Sequence, residues 1–202
     1  MVALIDYGVG NLFSLASSFG AIGEEAVITS DRNTIEKADR ILLPGVGAFA
    51  DAAAKLNESG MAEVVKEEAA KGKPILGVCL GMQLLFEKSF EYGEHTGLGL
   101  LKGSIEPISD VIPEGLKIPH IGWNALHLVK ESPLFRYLKE GDHVYFVHSF
   151  YAAGCDDSLL ATAEYGAELT AAVGKGNLFG CQFHPEKSGE VGLSILRAFC
   201  EI

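Results

Sequence analysis

The chain has 202 residues, 48% of them hydrophobic and 21% charged, which is typical of a globular protein with enough apolar material for a core. Its net charge of -11 argues against nucleic acid or an anionic membrane surface as the main partner, because both need clustered Lys and Arg. No apolar run approaches the roughly 18 residues of a membrane span, and the first residues lack the basic segment of a signal peptide, so we expect a cytoplasmic protein with free thiols.

The first half of the chain alternates predicted strands with predicted helices. The run "MVALID" predicts a strand, and "GNLFSLASSFGAIG" has apolar residues at helical spacing and ends in Gly. The next segments predict two strands ("EAVIT", "ADRILLPGVG"), two helices ("AFADAAAKLNESG", "MAEVVKEEAAKGK"), a strand ("PILGVC") and a helix ("LGMQLLFEKSF"). Apolar strands between helices predict a parallel sheet that is covered on both faces.

From Gly97 to about Gly180 the pattern changes to short strands rich in β-branched and aromatic residues. The predicted strands are "VYFVHSFYA", "LLATAEYG", "LTAAVGKG" and "NLFGCQFH". We expect them to form an antiparallel or mixed extension of the same sheet, followed by a closing helix, "EVGLSILRAFCEI". No repeat or linker interrupts the chain, so we predict one α/β domain over residues 1–202.

The pentapeptide "GVCLG" places Cys79 between Gly77 and Gly81, where a predicted strand meets a predicted helix. This is the nucleophile-elbow pattern with sulfur in place of a hydroxyl, in which a strained central residue lies in a sharp turn and glycines let strand and helix approach. A helix N-terminus favours the thiolate, and the N–H of Leu80 would lie near a developing oxyanion. The alternative is a buried core cysteine; the flanking strand and helix favour the nucleophile.

A thiolate nucleophile needs a general base, and His184 in "GCQFHPEKS" is the best candidate. Pro185 favours an extended conformation at His184, and residues i and i+2 of an extended segment point to the same side. The carboxylate of Glu186 is therefore expected to orient the imidazole, although a turn histidine beside a solvated charge is the alternative. The other histidines lack the spacing of metal ligands, so we predict no metal and mainly structural roles, with His120 and His148 left open; they are His95, His120, His127, His143 and His148.

The segment "LLPGVGAF" places Gly45-Val46-Gly47 at the end of a predicted strand, where sheet ligands bind. Two glycines around a valine allow a ligand to approach the backbone or a peptide to change its orientation. A backbone N–H of this loop would complete an oxyanion hole, although an ordinary tight connection explains the spacing equally well. The segment "DYGVGN" lacks the third Gly of a dinucleotide fingerprint, and no phosphate-binding GxxxxGK[ST] is present, so no cofactor is expected.

Along nearly its whole length, the chain resembles the class I (triad) glutamine amidotransferases, and most closely the glutaminase subunits of imidazole glycerol phosphate synthase, from histidine biosynthesis. The segments that carry the resemblance are "DYGVGN", "LPGVGAF", "GVCLGMQLLFE", "PHIGWN", "YFVHSF" and "FHPEKS". The triad positions show no departure from the family pattern. The resemblance implies a flavodoxin-like α/β fold: a central, mostly parallel mixed sheet with helices on both faces and a smaller antiparallel extension.

The resemblance also implies the site. Cys79 would attack the side-chain amide of glutamine, His184 would carry the thiol proton to the leaving ammonia, and Glu186 would orient His184, after which water hydrolyses the thioester. The implied oxyanion donors are Val46, Gly47 and Leu80, and the implied glutamine-binding residues are Gly47, Gln83, Ser149 and Phe150.

The resemblance further implies that the ammonia passes to a separate (βα)8-barrel cyclase subunit of a heterodimer, which makes imidazole glycerol phosphate and an aminoimidazole carboxamide ribotide. The implied interface residues are Asn11, Trp123, Asn124, Tyr145 and Lys187. Because a glutaminase that works alone would waste glutamine, we expect an incomplete resting site. One peptide of Gly45-Val46-Gly47 would then aim a carbonyl at the oxyanion position until the partner shifts the population.

Three other functions are compatible with parts of this sequence. The chain could feed ammonia to a different synthase on another chain, it could be a stand-alone cysteine amidase, or it could be a non-enzymatic regulator on the same fold. A stand-alone amidase predicts activity without a partner and hydrolysis of other amides. An intact triad argues against the regulator.

Overall fold

The computed structural model describes residues 1–202, and its first half alternates parallel strands with helices. The elements of this half are, in chain order, β1 (Val2–Ile5), α1 (Leu12–Ala21), β2 (Ala26–Thr29), α2 (Arg32–Lys37), β3 (Arg40–Leu43), α3 (Phe49–Glu58), α4 (Met61–Ala70), β4 (Ile75–Val78) and α5 (Leu80–Leu84). Helix α2 was not predicted, although its sequence carries a start signal: the carboxylate of Asp31 accepts a hydrogen bond from the backbone N–H of Thr34 at 2.8 Å.

The second half is built mainly of short strands and ends in one helix. Its elements are β5 (Phe86–Ser89), β6 (His95–Thr96), β7 (Leu101–Pro107), β8 (His120–Ala125), β9 (His127–Leu128), β10 (His143–His148), β11 (Phe150–Ala153), β12 (Leu159–Glu164), β13 (Glu168–Lys175), β14 (Leu178–Cys181) and α6 (Gly189–Cys200). The predicted closing helix is confirmed as α6. None of the helices has the length and apolar character that crossing a bilayer requires.

The central sheet has eight strands in the order β2-β1-β3-β4-β14-β13-β12-β9. The strands from β2 to β14 run parallel, and β13, β12 and β9 extend the sheet with antiparallel pairs. The parallel part, read as 2-1-3-4-5, has the flavodoxin-like strand order, in which ligands bind beyond the carboxyl ends of the strands. The predicted fold class is confirmed.

The strand register brings three loops together at the carboxyl edge of the sheet. Leu43 of β3 lies opposite Gly77 of β4, and Val78 of β4 lies opposite Cys181 of β14. The glycine loop after β3, the elbow after β4 and the segment after β14 therefore emerge side by side. The glycine motif, the cysteine motif and the histidine motif of the sequence all reach this edge, because three neighbouring parallel strands end at the same level.

Apolar residues that alternate along the central strands form two cores, one on each face of the sheet. Ile5 and Leu43 belong to a cluster of 28 buried residues that includes the inner sides of α3 and α4. Their strand neighbours Leu4 and Leu42 belong to a second cluster of 24 residues with Phe19 of α1 and others from α6. Burial on both faces explains why these strands read as continuous apolar runs.

Two predictions about individual elements were wrong. The helix expected over "LGMQLLFEKSF" ends at Leu84, and Phe86–Ser89 forms β5, because pairing with β7 overrides a local preference for helix. The segment "VYFVHSFYA", expected as one strand, divides at Ser149 into β10 and β11, which belong to different sheets.

The extension of the central sheet also differs from the prediction. Only part of the second half joins the central sheet. Strands β8 and β10 form a separate antiparallel pair, and β11, β7, β5 and β6 form a four-stranded sheet in which β5 and β7 run parallel. The short pieces between these strands cover the carboxyl edge, where they wall a cavity.

Candidate active site

Cys79 lies in a strained turn between β4 and α5, with φ 55° and ψ -113°, in a region that non-glycine residues rarely adopt. The flanking glycines are required by close packing. A Cβ on Gly77 would lie 2.6 Å from the Cα of Met82, and one on Gly81 would lie 1.9 Å from the carbonyl oxygen of Leu43. The backbone thus has the geometry that the elbow motif predicts, and it holds the Cys79 side chain at the edge of the sheet.

The N-terminus of α5 supplies a free backbone donor beside the sulfur. Leu80 is the first residue of α5, so its N–H has no acceptor within the helix. The helix itself is only five residues long, shorter than expected. Any electrostatic help for a thiolate therefore comes mainly from these nearby N–H groups rather than from a long helix dipole.

The register between β4 and β14 positions the histidine segment against the elbow. The Cys79 N–H donates to the carbonyl oxygen of Cys181 at 2.7 Å, so the next residues of the two strands run together beyond the sheet. The side-chain amide nitrogen of Gln182 lies 3.7 Å from the Cys79 sulfur. Gln182 was not predicted from the sequence, although it directly follows a strand that neighbours the elbow.

His184 and Glu186 contact each other through imidazole Nδ1 and carboxylate Oε1, 2.8 Å apart, with both side chains buried. The pairing was predicted from an extended backbone, and that part of the prediction was wrong, because Pro185–Lys187 forms a 3-10 turn. The backbone of His184 is extended, and the turn then folds Glu186 back toward the ring. The second carboxylate oxygen of Glu186 is buried without a hydrogen-bond partner, so the imidazole is its main polar contact.

Opposing effects set the protonation of His184. Burial lowers the pKa of the imidazole, but the neighbouring Cys79 and Glu186 outweigh burial and raise that pKa to about 9. The ring is therefore held as a cation near neutral pH, with Glu186 on Nδ1. An imidazolium in this place can give a proton to a leaving amine and, once neutral, can take one from water.

The other three cysteines lack the setting of Cys79. All four thiols are free. Burial raises the pKa of the Cys155, Cys181 and Cys200 thiols, which keeps them protonated and unreactive. Cys79 is only partly buried and lines a cavity.

That cavity has a volume of about 330 Å³ and opens at the carboxyl edge of the sheet. Nine of the residues proposed from the sequence line it: Val46, Gly47, Cys79, Leu80, Gln83, Ser149, Phe150, His184 and Lys187. A larger, more open groove of about 720 Å³ follows residues 128–136 and contains none of them. The candidate reactive side chains therefore line the smaller cavity and not the larger groove.

Five further residues line the cavity and were not proposed for the site: Glu91, Tyr92, Pro119, Val147 and His148. The carboxylate of Glu91 accepts a hydrogen bond from the Phe49 N–H at 2.6 Å, which fixes it at the rim. Tyr92 has φ 53°, is 90% exposed and packs edge-on against Phe150. Both residues follow β5 and lie just beyond the segment that was wrongly predicted to be helical.

The glycine loop after β3 is fixed at one end and open at the other. The Tyr7 hydroxyl donates to the carbonyl oxygen of Pro44 at 2.7 Å, and Gly45 packs so closely on α5 that a Cβ would lie 2.6 Å from the Gly81 nitrogen. Gly47 has φ 93°, and a Cβ there would meet no atom within 4 Å. The loop is therefore tightly packed at its Pro44–Gly45 end and has open space at Gly47, and its Val46–Gly47 end lines the cavity.

The proposed interface residues divide into three groups. Trp123 is 56% exposed and packs edge-on against Tyr145, whose ring lies 5.8 Å from the Lys187 ammonium. Asn124 points to the opposite face of β8, where its side-chain nitrogen donates to the carbonyl oxygen of Glu164 at 2.7 Å. Asn11 lies just before α1, and its side chain makes no capping bond.

Three of the five other histidines make side-chain contacts within the protein. The imidazoles of His120 and His148 are buried and lie 3.0 Å apart, and the ring of His127 contacts the carboxylate of Glu140 at 2.8 Å. No group of three or more metal-binding side chains lies close enough together to hold an ion.

Comparison with known proteins places this geometry in a family context. Residues 3–201 match the family described as "Glutamine amidotransferase class-I". The "Imidazole glycerol phosphate synthase subunit HisH" of Lactococcus lactis subsp. lactis (strain IL1403) is 52% identical over 201 residues, covering 99% of this chain and 98% of that protein. The protein of the same description from Wolinella succinogenes is 49% identical over 204 residues, covering 100% of each chain.

Solved structures support the fold at lower identity. One described as "Crystal structure of glutamine amidotransferase" has a TM-score of 0.77 at 20% identity, covering 100% of this chain and 98% of that one. A chain of PurLQS from Thermotoga maritima has a TM-score of 0.77 at 22% identity, covering 99% of this chain and 97% of that one. At these identities the likeness concerns the fold alone.

Proposed function

The chain belongs to the class I glutamine amidotransferases and, within them, to the HisH subunits of imidazole glycerol phosphate synthase, and we propose that it hydrolyses glutamine through Cys79, His184 and Glu186. The observation that carries this proposal is the shared cavity. A cysteine in a strained elbow and a cationic imidazole held by a buried carboxylate line the same space of about 330 Å³. We treat residues 1–202 as one glutamine amidotransferase domain.

The covalent step follows from these groups. The Cys79 sulfur adds to the side-chain carbonyl carbon of glutamine, and the imidazolium of His184 gives its proton to the amide nitrogen as the C–N bond breaks. Ammonia leaves and a glutamyl thioester remains on Cys79. His184, now neutral, takes a proton from water and becomes cationic again, and the hydroxide attacks the thioester carbonyl. The C–S bond breaks, which releases glutamate and restores the Cys79 thiolate beside the imidazolium. No metal or organic cofactor enters these steps.

The oxyanion of each tetrahedral intermediate needs backbone donors. The Leu80 N–H, which has no acceptor within α5, is one donor, and a peptide N–H of Val46 or Gly47 is the second. Losing one such donor lowers the rate by roughly 10²–10³-fold. The open space around Gly47 lets this peptide turn, so the loop serves as the switch between an incomplete and a complete site.

Glutamine binding uses the remaining walls of the cavity. Gln83 and Gly47 flank the reacting amide, and Ser149 and Phe150, at the break between β10 and β11, lie toward the α-groups. Glu91 adds a carboxylate at the rim, which complements the α-ammonium group of an amino acid.

The ammonia is used by a second chain. We place the (βα)8-barrel cyclase subunit of imidazole glycerol phosphate synthase over the exposed side of Trp123, with Tyr145, Lys187 and Asn11 at the same interface. An exposed tryptophan packed on a tyrosine is the kind of aromatic anchor that dominates subunit interfaces. Asn124, also proposed for the interface, would support β8 from the opposite face. The heterodimer is expected to work in the cytoplasm.

A labelling experiment tests this function. Glutamine carrying ¹⁵N in its side-chain amide is given to the assembled complex with the ribonucleotide substrate of the cyclase, and glutamate and imidazole glycerol phosphate are followed by mass spectrometry. The proposal predicts glutamate release, with the ¹⁵N appearing in the imidazole product. Loss of both signals in Cys79→Ser is expected. Equal glutamate release by Cys79→Ser would overturn the proposal, and hydrolysis of unrelated amides without a partner would favour a stand-alone amidase.

A further inference from the structure

Two buried histidines form a directed hydrogen-bond chain that ends at the glutamine cavity. The Nδ1 of His148 lies 2.9 Å from the carbonyl oxygen of Phe150, and the Nε2 of His148 lies 3.0 Å from the Nδ1 of His120. The His120 ring is stacked between Phe146 and Tyr165, with centroid distances of 4.9 and 4.1 Å. Both side chains are buried, so water does not compete for these contacts.

The partners fix where each proton lies. A carbonyl oxygen only accepts, so the Nδ1 of His148 carries a hydrogen. Burial lowers the pKa of His148 to about 4, and burial also lowers that of His120, so both rings are neutral at pH 7. The Nε2 of His148 is then an acceptor, and the Nδ1 of His120 must donate to it. The other nitrogen of His120 accepts, and it faces the Asn124 amide nitrogen at 3.5 Å.

The Phe150 carbonyl connects the histidine pair to Gln83. The same oxygen that accepts from His148 lies 3.3 Å from the Nε2 of Gln83, and this nitrogen also donates to the Oε1 of Gln182 at 2.9 Å. If the Gln83 amide were turned by about 180°, its own oxygen would face the Phe150 carbonyl oxygen, and the two oxygens would repel each other. The amide is therefore fixed with its nitrogen toward Phe150. Both of its N–H groups are used, and its Oε1 remains as an acceptor on a side chain that lines the cavity.

We propose that the His120–His148 pair is a positioning device that aims the Phe150 carbonyl at Gln83 and so fixes the Gln83 amide as a hydrogen-bond acceptor for glutamine. This inference rests on the proposed function. His148 is part of the cavity lining, but both of its ring nitrogens are already used, one toward Phe150 and one toward His120. Its polar effect on substrate therefore passes through Phe150 and Gln83. The hydrogen bonds of the two rings go to each other, to Phe150 and to Asn124, and neither ring replaces His184 as the base. The expected effect of breaking the chain is therefore on glutamine binding and not on the chemical step.

Two matched variants of His148 test the proposal in the assembled complex. In His148→Asn, the amide nitrogen takes the place of Nδ1 and still donates to Phe150. In His148→Gln, the amide lies at the place of Nε2, so the donor to Phe150 is lost. We expect His148→Gln to raise KM for glutamine about tenfold with kcat nearly unchanged, and His148→Asn to stay within about threefold of the wild type. Equal KM values in the two variants would overturn the proposal.

A double-mutant cycle separates positioning from general damage to the fold. In a Gln83→Met background, His148→Gln should change KM by less than about twofold, because its effect passes through Gln83. The same tenfold rise in both backgrounds would contradict the proposal. If the wild-type complex hydrolyses no glutamine, the proposed function fails instead.

A readout that needs no activity completes the test. Long-range ¹H–¹⁵N NMR of the purified chain reports the tautomers of both histidines. The proposal predicts a hydrogen on Nδ1 of each ring at pH 7. A hydrogen on Nε2 of His148 would overturn it whatever the kinetics show.

Discussion

The carboxylate of Glu186 reaches the imidazole of His184 at 2.8 Å from within a 3-10 turn, two residues further along the chain. The turn places an acid on Nδ1 of the ring and leaves Nε2 free of this contact. Both side chains are buried, so water does not compete for this contact. The other Glu186 oxygen has no hydrogen-bond partner, which makes the imidazolium the main source of stabilisation for the carboxylate.

Glu186→Gln should lower the pKa of His184 below its wild-type value of about 9, because a neutral amide no longer stabilises the imidazolium. We expect kcat for glutamine hydrolysis to fall roughly 10²-fold or more, and the alkaline limb of the pH profile to move to lower pH. Histidine NMR titration and the pH dependence of kcat check this. Glu190→Gln, on the exposed start of α6, is the matched control; an unchanged His184 pKa in Glu186→Gln would contradict the prediction.

The raised pKa of His184 also predicts how the free energy of unfolding changes with pH. A folded pKa raised from 6.5 to about 9 stabilises the folded state fully below pH 6.5, and this contribution is lost as the pH rises through 9. The free energy of unfolding of the wild type should therefore fall from pH 6.5 to 9 by more than that of Glu186→Gln. Urea unfolding at several pH values measures the difference, and parallel pH curves would contradict it.

A glutamine analogue that carries an alkylating group should label Cys79 and spare the other cysteines. Cys79 lines the cavity, whereas burial raises the pKa of the Cys155, Cys181 and Cys200 thiols. Peptide mass spectrometry should find one label per chain, and excess glutamine should protect the site. Cys79→Ala serves as the control and should take up no label. Equal modification of all four cysteines would remove the argument for an activated thiol.

Gly47→Ala should lower glutaminase activity in the complex without removing the fold. A Cβ on Gly47 meets no atom within 4 Å, so the substitution acts only through the backbone, whose φ of 93° strongly disfavours alanine. We expect kcat to fall at least about tenfold, since an oxyanion donor is misplaced. Gly60→Ala is the matched control, with φ 76° and the same open surroundings at the start of α4. Equal activity losses in the two variants would argue against a special role for the loop.

Trp123→Ala should weaken binding of the cyclase subunit at least about tenfold, because an exposed tryptophan packed on Tyr145 is a typical anchor of an interface. Isothermal titration calorimetry measures the Kd. Tyr137→Ala is the control, since Tyr137 is an exposed aromatic side chain that contacts Glu201 instead. Similar Kd values for Trp123→Ala and wild type would place the interface elsewhere.

The sequence predicts the parallel half of the fold well because each strand is a short apolar run that is buried on both faces. It predicts Cys79 for a different reason: the glycines that the close packing of the elbow requires are visible in the sequence. It does not predict β5, because Met82, Gln83 and Leu84 favour helix and only pairing with β7 ends it. Glu91 and the His120–His148 pair depend on contacts between distant segments, which no local pattern records.

The most direct measurement is glutamate release by the purified chain, first alone and then with the cyclase subunit and its ribonucleotide substrate, with Cys79→Ala as the blank. A partner-gated glutaminase predicts low activity alone that rises at least about 10²-fold in the complex, the size expected when a missing oxyanion donor is restored. Full activity of the chain alone would contradict gating through the Val46–Gly47 peptides.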